Sequence, residues 1–176
     1  GGTGAFIDQM ATLLNVPIDQ FDALAQKHDM IYPIASRCGV FAKSDIQPLL
    51  NQGARKEDLA ASVLQAVVSQ TVSGLAQGRE IKGKVVFLGG PLFFFKELGR
   101  QFVEDLKLDE DSAVFPENSQ VFVAIGAAIG VREFQPISYQ ELIDKISNTA
   151  PVAMAKSMPP LFETKQDYEA FVKRHA

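Results

Sequence analysis

The sequence predicts an α/β fold in which helices alternate with short strands. A long segment, residues 55–78, carries apolar residues on two rows at helical spacing, which predicts a helix buried on more than one side. The run "KVVFLGG" then predicts a strand over 85–88, placed inside a sheet and followed by a Gly-Gly turn. A helical segment and the short apolar run "AVFP" follow. This alternation favours parallel pairing for at least part of the sheet.

The remaining elements follow from local patterns. An apolar stripe from Phe6 to Leu14 predicts a first helix, and Pro17 is typical of the first turn of a second. Residues 31–42 suggest an extended stretch, after which Ser44 and Asp45 would cap a short helix. "PLFFFKELGRQFVEDL" predicts one continuous helix, and 117–130 another.

The segment after Val131 differs in character and sets the predicted domain boundary. Residues 1–131 are expected to form the main domain and 132–176 a linker with a helical extension. "ISYQELIDKI" predicts a small helix, and "SNTAPVAMAKSMPP" is linker-like because it is rich in small residues and Pro. "LFETKQDYEAFVKRHA" predicts a last helix anchored by Phe162, Tyr168, Phe171 and Val172.

Composition narrows the class of protein. The 176 residues carry a formal net charge of −4, which argues against nucleic-acid and acidic-membrane partners. No uninterrupted apolar run reaches the roughly 18 residues that span a bilayer, and no leader peptide is visible. One cysteine, Cys38, excludes an internal disulfide and suits the cytoplasm. The acids Asp45, Glu57, Asp58, Glu97, Glu104 and Asp105 are expected mostly on solvated helix faces, with no catalytic acid/base pair among them.

Two glycine-rich segments are candidate ligand sites. Gly2, Thr3 and Gly4 open a helix, where free N–H groups attract anions, although a helix start without a ligand has the same composition. Gly89 and Gly90 follow a predicted strand, where α/β sheets bind ligands and a flat group such as adenine could lie against the turn. The alternative for this pair is a tight turn alone.

Cys38 is the candidate metal ligand. From its type alone a buried, small apolar side chain is the commoner role. The neighbouring Arg37 would favour its thiolate form, which is the form that binds metal.

Four motifs in order resemble one family, the CoA-substrate-specific enzyme activases. These are the ATPase activators of 2-hydroxyacyl-CoA dehydratases and the ATPase subunits of benzoyl-CoA reductases. The motifs are "GGTGAF", "CGVFAKSDIQPLLNQGARKEDLAASV", "VVFLGGPLFFFKEL" and "NSQVFVAIGAAIG", and they span about residues 1–131. Lys43 in "FAKSD" and the tail from Pro159 are closer to long members that carry tandem activase modules.

The resemblance implies a fold and a set of cofactors. The expected fold is the C-terminal half of an actin-like (ribonuclease-H-like) ATPase, since the first family cysteine and the phosphate motifs would lie before Gly1. ATP and Mg²⁺ are the implied nucleotide and metal, with Gly89 and Gly90 beside the adenosine and Gly2, Thr3 and Gly4 on the phosphate or ribose side. Cys38 is implied as a ligand of a [4Fe-4S] cluster shared between two modules.

The implied activity is ATP-dependent electron transfer to a 2-hydroxyacyl-CoA dehydratase or an acyl-CoA reductase. The partners would be a second activase module, in a homodimer or a tandem repeat, and that CoA-ester enzyme. The fragment alone is expected to be inactive and to hold no cluster. Two alternatives stay open: a non-catalytic scaffold module, and a kinase of the same fold, which would not need Cys38.

Overall fold

The computed structural model describes residues 2–35, 39–131, 136–148 and 160–175. The chain divides into two compact units, Gly1–Val131 and Arg132–Ala176.

The first unit contains seven α-helices among its described residues, together with a small sheet. The helices are α1 (Gly2–Leu13), α2 (Ile18–Ala25), α3 (Gly39–Asn51), α4 (Lys56–Ala76), α5 (Gly90–Phe94), α6 (Lys96–Asp105) and α7 (Phe122–Gly130). Strands β1 (Val85–Val86) and β2 (Ala113–Val114) pair in parallel, and a 3₁₀ turn at Ser119–Val121 precedes α7. The α/β class with parallel pairing is therefore present.

Helix α4 is the centre of this unit and confirms the helix predicted over 55–78. It packs against α1, α2 and α6, and ten of its residues, from Asp58 to Val68, are buried. Among the described residues, α4 alone is long and apolar enough by length and composition to cross a membrane. Half of its most apolar 18-residue window is buried within the protein, as in the core helix of a globular unit.

The apolar stripe of the first helix is also confirmed. Ile7, Met10 and Leu14 are essentially inaccessible to solvent and belong to the same core cluster as α4. Phe21 of α2 joins them, so α1 and α2 cover one side of the central helix.

The prediction of an extended stretch over 31–42 is wrong at its C-terminal end, because α3 begins at Gly39. Ser44 and Asp45 therefore lie inside the helix instead of capping it. The Ser44 hydroxyl donates to the Val40 carbonyl (3.1 Å), and the Asp45 carboxylate accepts from the backbone N–H of Ala35 (2.8 Å). Asp45 thus ties the segment before α3 to the helix.

Strand β1 is shorter and more exposed than the inner strand predicted over 85–88. Pairing extends through the N–H groups of Val85 and Phe87, which donate to Ser112 and Val114 at 2.8 and 2.9 Å. The sheet has two strands among the described residues, so β1 is an edge strand there. Val86 is 51% exposed and Leu88 43% exposed because only the Val85–Phe87 side faces the core.

The single helix predicted after Gly90 is interrupted. Phe95 adopts an extended conformation (φ −104°, ψ 99°) between α5 and α6. Its ring is buried edge-on against Phe21, with centroids 6.4 Å apart. Burial of this side chain outweighs continuation of the helix.

The second unit contains α8 (Tyr139–Asn148) and α9 (Lys165–His175). Each starts with a reciprocal capping box. In α9, the Asp167 carboxylate accepts from the N–H and hydroxyl of Thr164 (2.9 and 2.8 Å), and the Thr164 hydroxyl accepts from the N–H of Asp167 (3.2 Å). Phe162 packs on Tyr168 and Phe171, which agrees with the predicted anchors. The predicted linker lies mostly outside the described residues.

Candidate functional site

Gly4 and Gly90, from the two glycine-rich segments, line one cleft between α1, α2 and α5, called here the α1–α5 cleft. Its volume is about 570 Å³, within the range of small-molecule sites. The other lining residues are Asp8, Ile18, Asp19, Asp22, Pro91, Phe94 and Phe95. The cleft therefore has an apolar wall from α5 and an acidic wall from α1 and α2.

Main-chain atoms at the start of α5, just after the turn that follows β1, form part of the cleft surface. Gly89 has a φ of +106°, a conformation that favours glycine, and its N–H donates to the Ser119 carbonyl at 3.1 Å. Gly90 then starts α5, and a Cβ built on it would meet no atom within 4 Å. The open space at Gly90 allows a ligand to approach the main chain closely.

The acidic wall contains one structural carboxylate and two available ones. Asp22 accepts from the N–H of Glu97 (2.9 Å) and from the Gln26 side chain (2.7 Å), which fixes α2 to the start of α6. Asp8 and Asp19 are exposed side chains on the cleft. Carboxylates accept hydrogen bonds from hydroxyl or amino groups and repel phosphate, so this wall suits the uncharged end of a ligand.

Sequence reasoning did not connect Asp19 or Asp22 with a site. The available signal was their i, i+3 spacing, which places both on one face of α2. Asp8 was predictable only as an acid near a helix start, because its position across from Gly90 depends on tertiary packing.

A buried polar cluster lies at the start of α6, next to Asp22 of the cleft. Glu97 belongs to this cluster, so the expectation that it is solvated is wrong. Glu97 is 2% exposed and accepts from Arg100 Nε (2.8 Å) and Gln101 Nε2 (3.1 Å), with His28 Nδ1 3.7 Å away. The hydrogen bond to Glu97 raises the pKa of Arg100 above its usual value. Asp58 is likewise buried, at 3% exposure. Both acids are structural anchors.

Gly2 and Thr3 line a different cleft, called here the α1–α3 cleft, also of about 570 Å³. Its walls are the first turns of α1 and α3 and the C-terminal half of α4. The two helix starts are close, since a Cβ built on Gly39 would lie 3.7 Å from the Phe6 ring. The structure thus separates Gly2 and Thr3 from Gly4 and Gly90, and Gly89 lines neither cleft.

Cys38 lies outside the described residues, immediately before Gly39. Within the described ranges no group of three or more His, Cys, Asp or Glu side chains could hold a metal ion.

Comparison with known proteins gives a consistent result. The model of the BadF/BadG/BcrA/BcrD ATPase family matches residues 1–130. The (R)-2-hydroxyglutaryl-CoA dehydratase activating ATPase of Acidaminococcus fermentans is 37% identical over 89 residues, covering 51% of this chain and 34% of that protein. The activator of lactoyl-CoA dehydratase from Anaerotignum propionicum is 32% identical over 130 residues, covering 73% of this chain and 48% of that protein.

Two solved activators share the fold. Component A of the A. fermentans (R)-2-hydroxyglutaryl-CoA dehydratase superposes with a TM-score of 0.63 at 30% identity, over 72% of this chain and 47% of that one. The activator of 2-hydroxyisocaproyl-CoA dehydratase from Clostridium difficile, solved with bound ADPNP, gives a TM-score of 0.58 at 22% identity over 76% of this chain and 52% of that one. The chain spans about half or less of the length of the curated relatives it matches.

Proposed function

Because this chain belongs to the BadF/BadG/BcrA/BcrD ATPase family, we propose that it is part of an ATP-dependent activator of a CoA-ester dehydratase or reductase. We infer that it corresponds to the C-terminal half of an actin-like module over residues 1–131, with 132–176 as linker and helical extension. The observation that carries the nucleotide assignment is the meeting of Gly4 and Gly90 in the α1–α5 cleft.

The chemistry of that cleft favours the nucleoside end of ATP. Gly90 leaves room for the adenine ring, and Phe94 adds an apolar surface. Gly89, which does not line the cleft, shapes the turn behind Gly90. Asp8 and Asp19 accept hydrogen bonds from the ribose hydroxyls or the amino group of adenine.

The phosphates would lie away from this acidic wall, towards the start of α1. Gly4 borders the α1–α5 cleft there, and Gly2 and Thr3 belong to the same first turn of α1 but line the α1–α3 cleft. The backbone N–H groups of this turn are the donors that we propose for the phosphates. Mg²⁺ would accompany the phosphates and neutralise part of their charge.

Substitution of Gly90 tests the nucleotide assignment. Gly90→Glu places a carboxylate in the open space at the start of α5, beside the acidic wall. We expect it to weaken ATP binding at least about tenfold. The measurement is calorimetric titration of ATP and Mg²⁺ into the full-length polypeptide that contains this chain.

Gly90→Gln is the matched control for bulk, because it has nearly the same size without the charge. We expect a smaller loss from Gln than from Glu. Equal affinity of wild type and Gly90→Glu would remove the assignment. Absence of ATP binding by the wild-type protein would instead favour the non-catalytic scaffold.

The electron-transfer role rests on Cys38 and is proposed separately. A [4Fe-4S] cluster, which supplies one-electron chemistry, is held by four thiolates, and this chain has one cysteine. One chain therefore does not fit a cluster by itself. The adjacent starts of α1 and α3 support a shared site, since Cys38 directly precedes α3 and the family resemblance implies a further cysteine before the Gly-Thr-Gly segment.

Iron and sulfide reconstitution tests that role. In the full-length protein under anaerobic conditions, Cys38→Ser is expected to lose the thiolate-to-iron absorbance and the paramagnetic signal after reduction. Retention of the wild-type spectrum by the variant would exclude Cys38 as a ligand. Normal ATP binding by the same variant would show that the nucleotide site and the cluster site are separate.

A further inference from the structure

Helix α8, in the second unit, carries an apolar stripe that stays open in this unit. Tyr139, Leu142, Ile143 and Ile146 follow the i, i+3, i+4, i+7 spacing of one helix face. Their side chains are between 36% and 78% exposed, and none of the residues of α8 is buried. A helix of ten residues is marginal in water by itself, so its apolar face is normally stabilised by packing against protein.

Helix α9 carries a second open stripe. Tyr168, Phe171 and Val172 have the i, i+3, i+4 spacing and are 53%, 38% and 44% exposed. Phe162 packs on Tyr168 and Phe171 and covers only part of this stripe. α8 and α9 are not among the helix pairs that pack extensively on each other in the described residues. Each of the two helices therefore presents an apolar face that the other does not cover.

The charges of the two helices favour one relative direction. Glu141 lies in the first turn of α8 and Lys145 in its last turn. Asp167 lies in the first turn of α9, and Lys173 and Arg174 lie in its last turn. An antiparallel arrangement of α8 and α9 brings each acidic start beside a basic end, whereas a parallel arrangement brings like charges together.

We propose that the stripe of α8 packs antiparallel on the stripe of α9 from a second copy of this chain. The structure does not pack these faces together within one chain, and the net charge is negative for α8 and positive for α9, which favours this pair over two like helices. The reciprocal pair forms by the same contact, so the arrangement closes as a two-fold dimer.

The contact is independent of the function proposed above. Both helices lie beyond residues 1–130, the range that the family model matches. The dimer therefore needs neither ATP nor Cys38, and its failure in an experiment would leave the nucleotide and cluster assignments as they stand.

The spacing of the two stripes sets the register of the pair. With Ile143 placed opposite Phe171, a step of three residues along each helix in opposite directions places Ile146 opposite Tyr168. Both pairs then join an aliphatic side chain to an aromatic one, and the start of α8 lies beside the basic end of α9.

Disulfide cross-linking between two different chains tests the proposal. Ile143→Cys and Phe171→Cys are made separately in a Cys38→Ser background, which removes the chain's own cysteine. Under mild oxidation the mixture is expected to form a covalent dimer at least about tenfold faster than either variant alone. Asp144→Cys is the matched control, because it lies on the opposite face of α8, and its mixture with Phe171→Cys is expected to show no such acceleration.

Light scattering on the chain with its natural stripe residues gives a second measurement. Ile146→Lys places an ammonium group in the packed face and is expected to raise the dimer dissociation constant at least about tenfold. Asn148→Lys adds the same charge on the opposite face of α8 and is expected to leave the dissociation constant unchanged.

Four results would overturn the proposal. The natural chain is monomeric at the concentrations used for cross-linking, or it dimerises and Ile146→Lys has no effect. Alternatively, each single-cysteine variant cross-links with itself as fast as the mixture, so that like helices pair. Lastly, a chain carrying both Ile143→Cys and Phe171→Cys forms the disulfide within itself, so that α9 of the same chain is the occupant.

Discussion

Removal of the Asp58 carboxylate is expected to destabilise the first unit strongly, because this buried group holds the segment between α2 and α3. Asp58 Oδ1 accepts from the N–H groups of Asp29 (2.8 Å) and Met30 (3.3 Å). The hydroxyl of Ser62, one turn along α4, accepts from the N–H of Tyr32 (2.8 Å). Side chains in the first turns of α4 thus accept the backbone hydrogen bonds that a neighbouring strand would accept from residues 29–32.

The magnitude follows from the hydrogen bonds that the substitution removes. Asp58→Ala leaves two partly buried N–H groups without an acceptor, and it also removes an acid from the first turn of α4. Together these changes predict a decrease of about 2–4 kcal/mol in the free energy of unfolding. Asp58→Asn keeps an oxygen in place and removes only the charge assistance, so a decrease of about 1 kcal/mol is expected.

Urea unfolding followed by circular dichroism measures these differences. Glu57→Ala is the matched control, because Glu57 is the neighbouring acid and makes only a 3.7 Å ion pair with Arg55. We expect it to change stability by less than about 0.5 kcal/mol. If Asp58→Ala is no more destabilising than Glu57→Ala, or if Ala and Asn at position 58 are equivalent, the proposed anchoring is wrong.

Two further predictions concern packing and pH. A Cβ on Gly99 would lie 2.9 Å from the Phe115 ring, so Gly99→Ala is expected to lower the free energy of unfolding by about 1–3 kcal/mol, measured by thermal unfolding. Gly126→Ala is the control, because a Cβ there lies in open space on α7, and it should be neutral or slightly stabilising. The hydrogen bond from the Thr164 hydroxyl, followed by that from its N–H, holds the pKa of Asp167 below its usual range. This cap therefore stabilises α9 above the ordinary aspartate pKa, and the stabilisation disappears as the pH falls through the lowered value. Thr164→Ala should raise the pKa of Asp167 in an NMR titration, and an unchanged pKa would contradict the capping contact.

The sequence predicted correctly the helices whose apolar residues repeat at helical spacing over several turns. The stripe containing Ile7, Met10 and Leu14 and the two rows of α4 are each long enough to separate a helix from a strand. The errors fall on short apolar runs. The residues before Ala42 include β-branched and aromatic side chains that favour a strand locally, yet the helix starts at Gly39. Tertiary contacts such as Asp45 to Ala35 decide such a segment.

The candidate site shows the same limit. Gly4 and Gly90 are recognisable from local composition because each lies at a helix start. Their meeting in one cleft depends on how α1 packs beside α5. The i, i+3 spacing places Asp19 and Asp22 on one face of α2, but nothing local shows that this face borders a cleft and not solvent. The prediction for Glu97 was wrong for the same reason, since its burial follows from the packing of α6 against α4 and α2.

The first turns of α1 face both clefts, and this has a thermodynamic consequence. Gly2, Thr3 and Phe6 border the α1–α3 cleft, while Gly4 and Asp8 border the α1–α5 cleft. The N–H of Glu97 donates to Asp22 and holds the opposite wall of the α1–α5 cleft to the start of α6, while Ile7 and Met10 hold α1 in the core. Any ligand that shifts this stretch of helix in one cleft changes the free energy of occupying the other. By linkage, a ligand in the second cleft would then act on the first with equal strength.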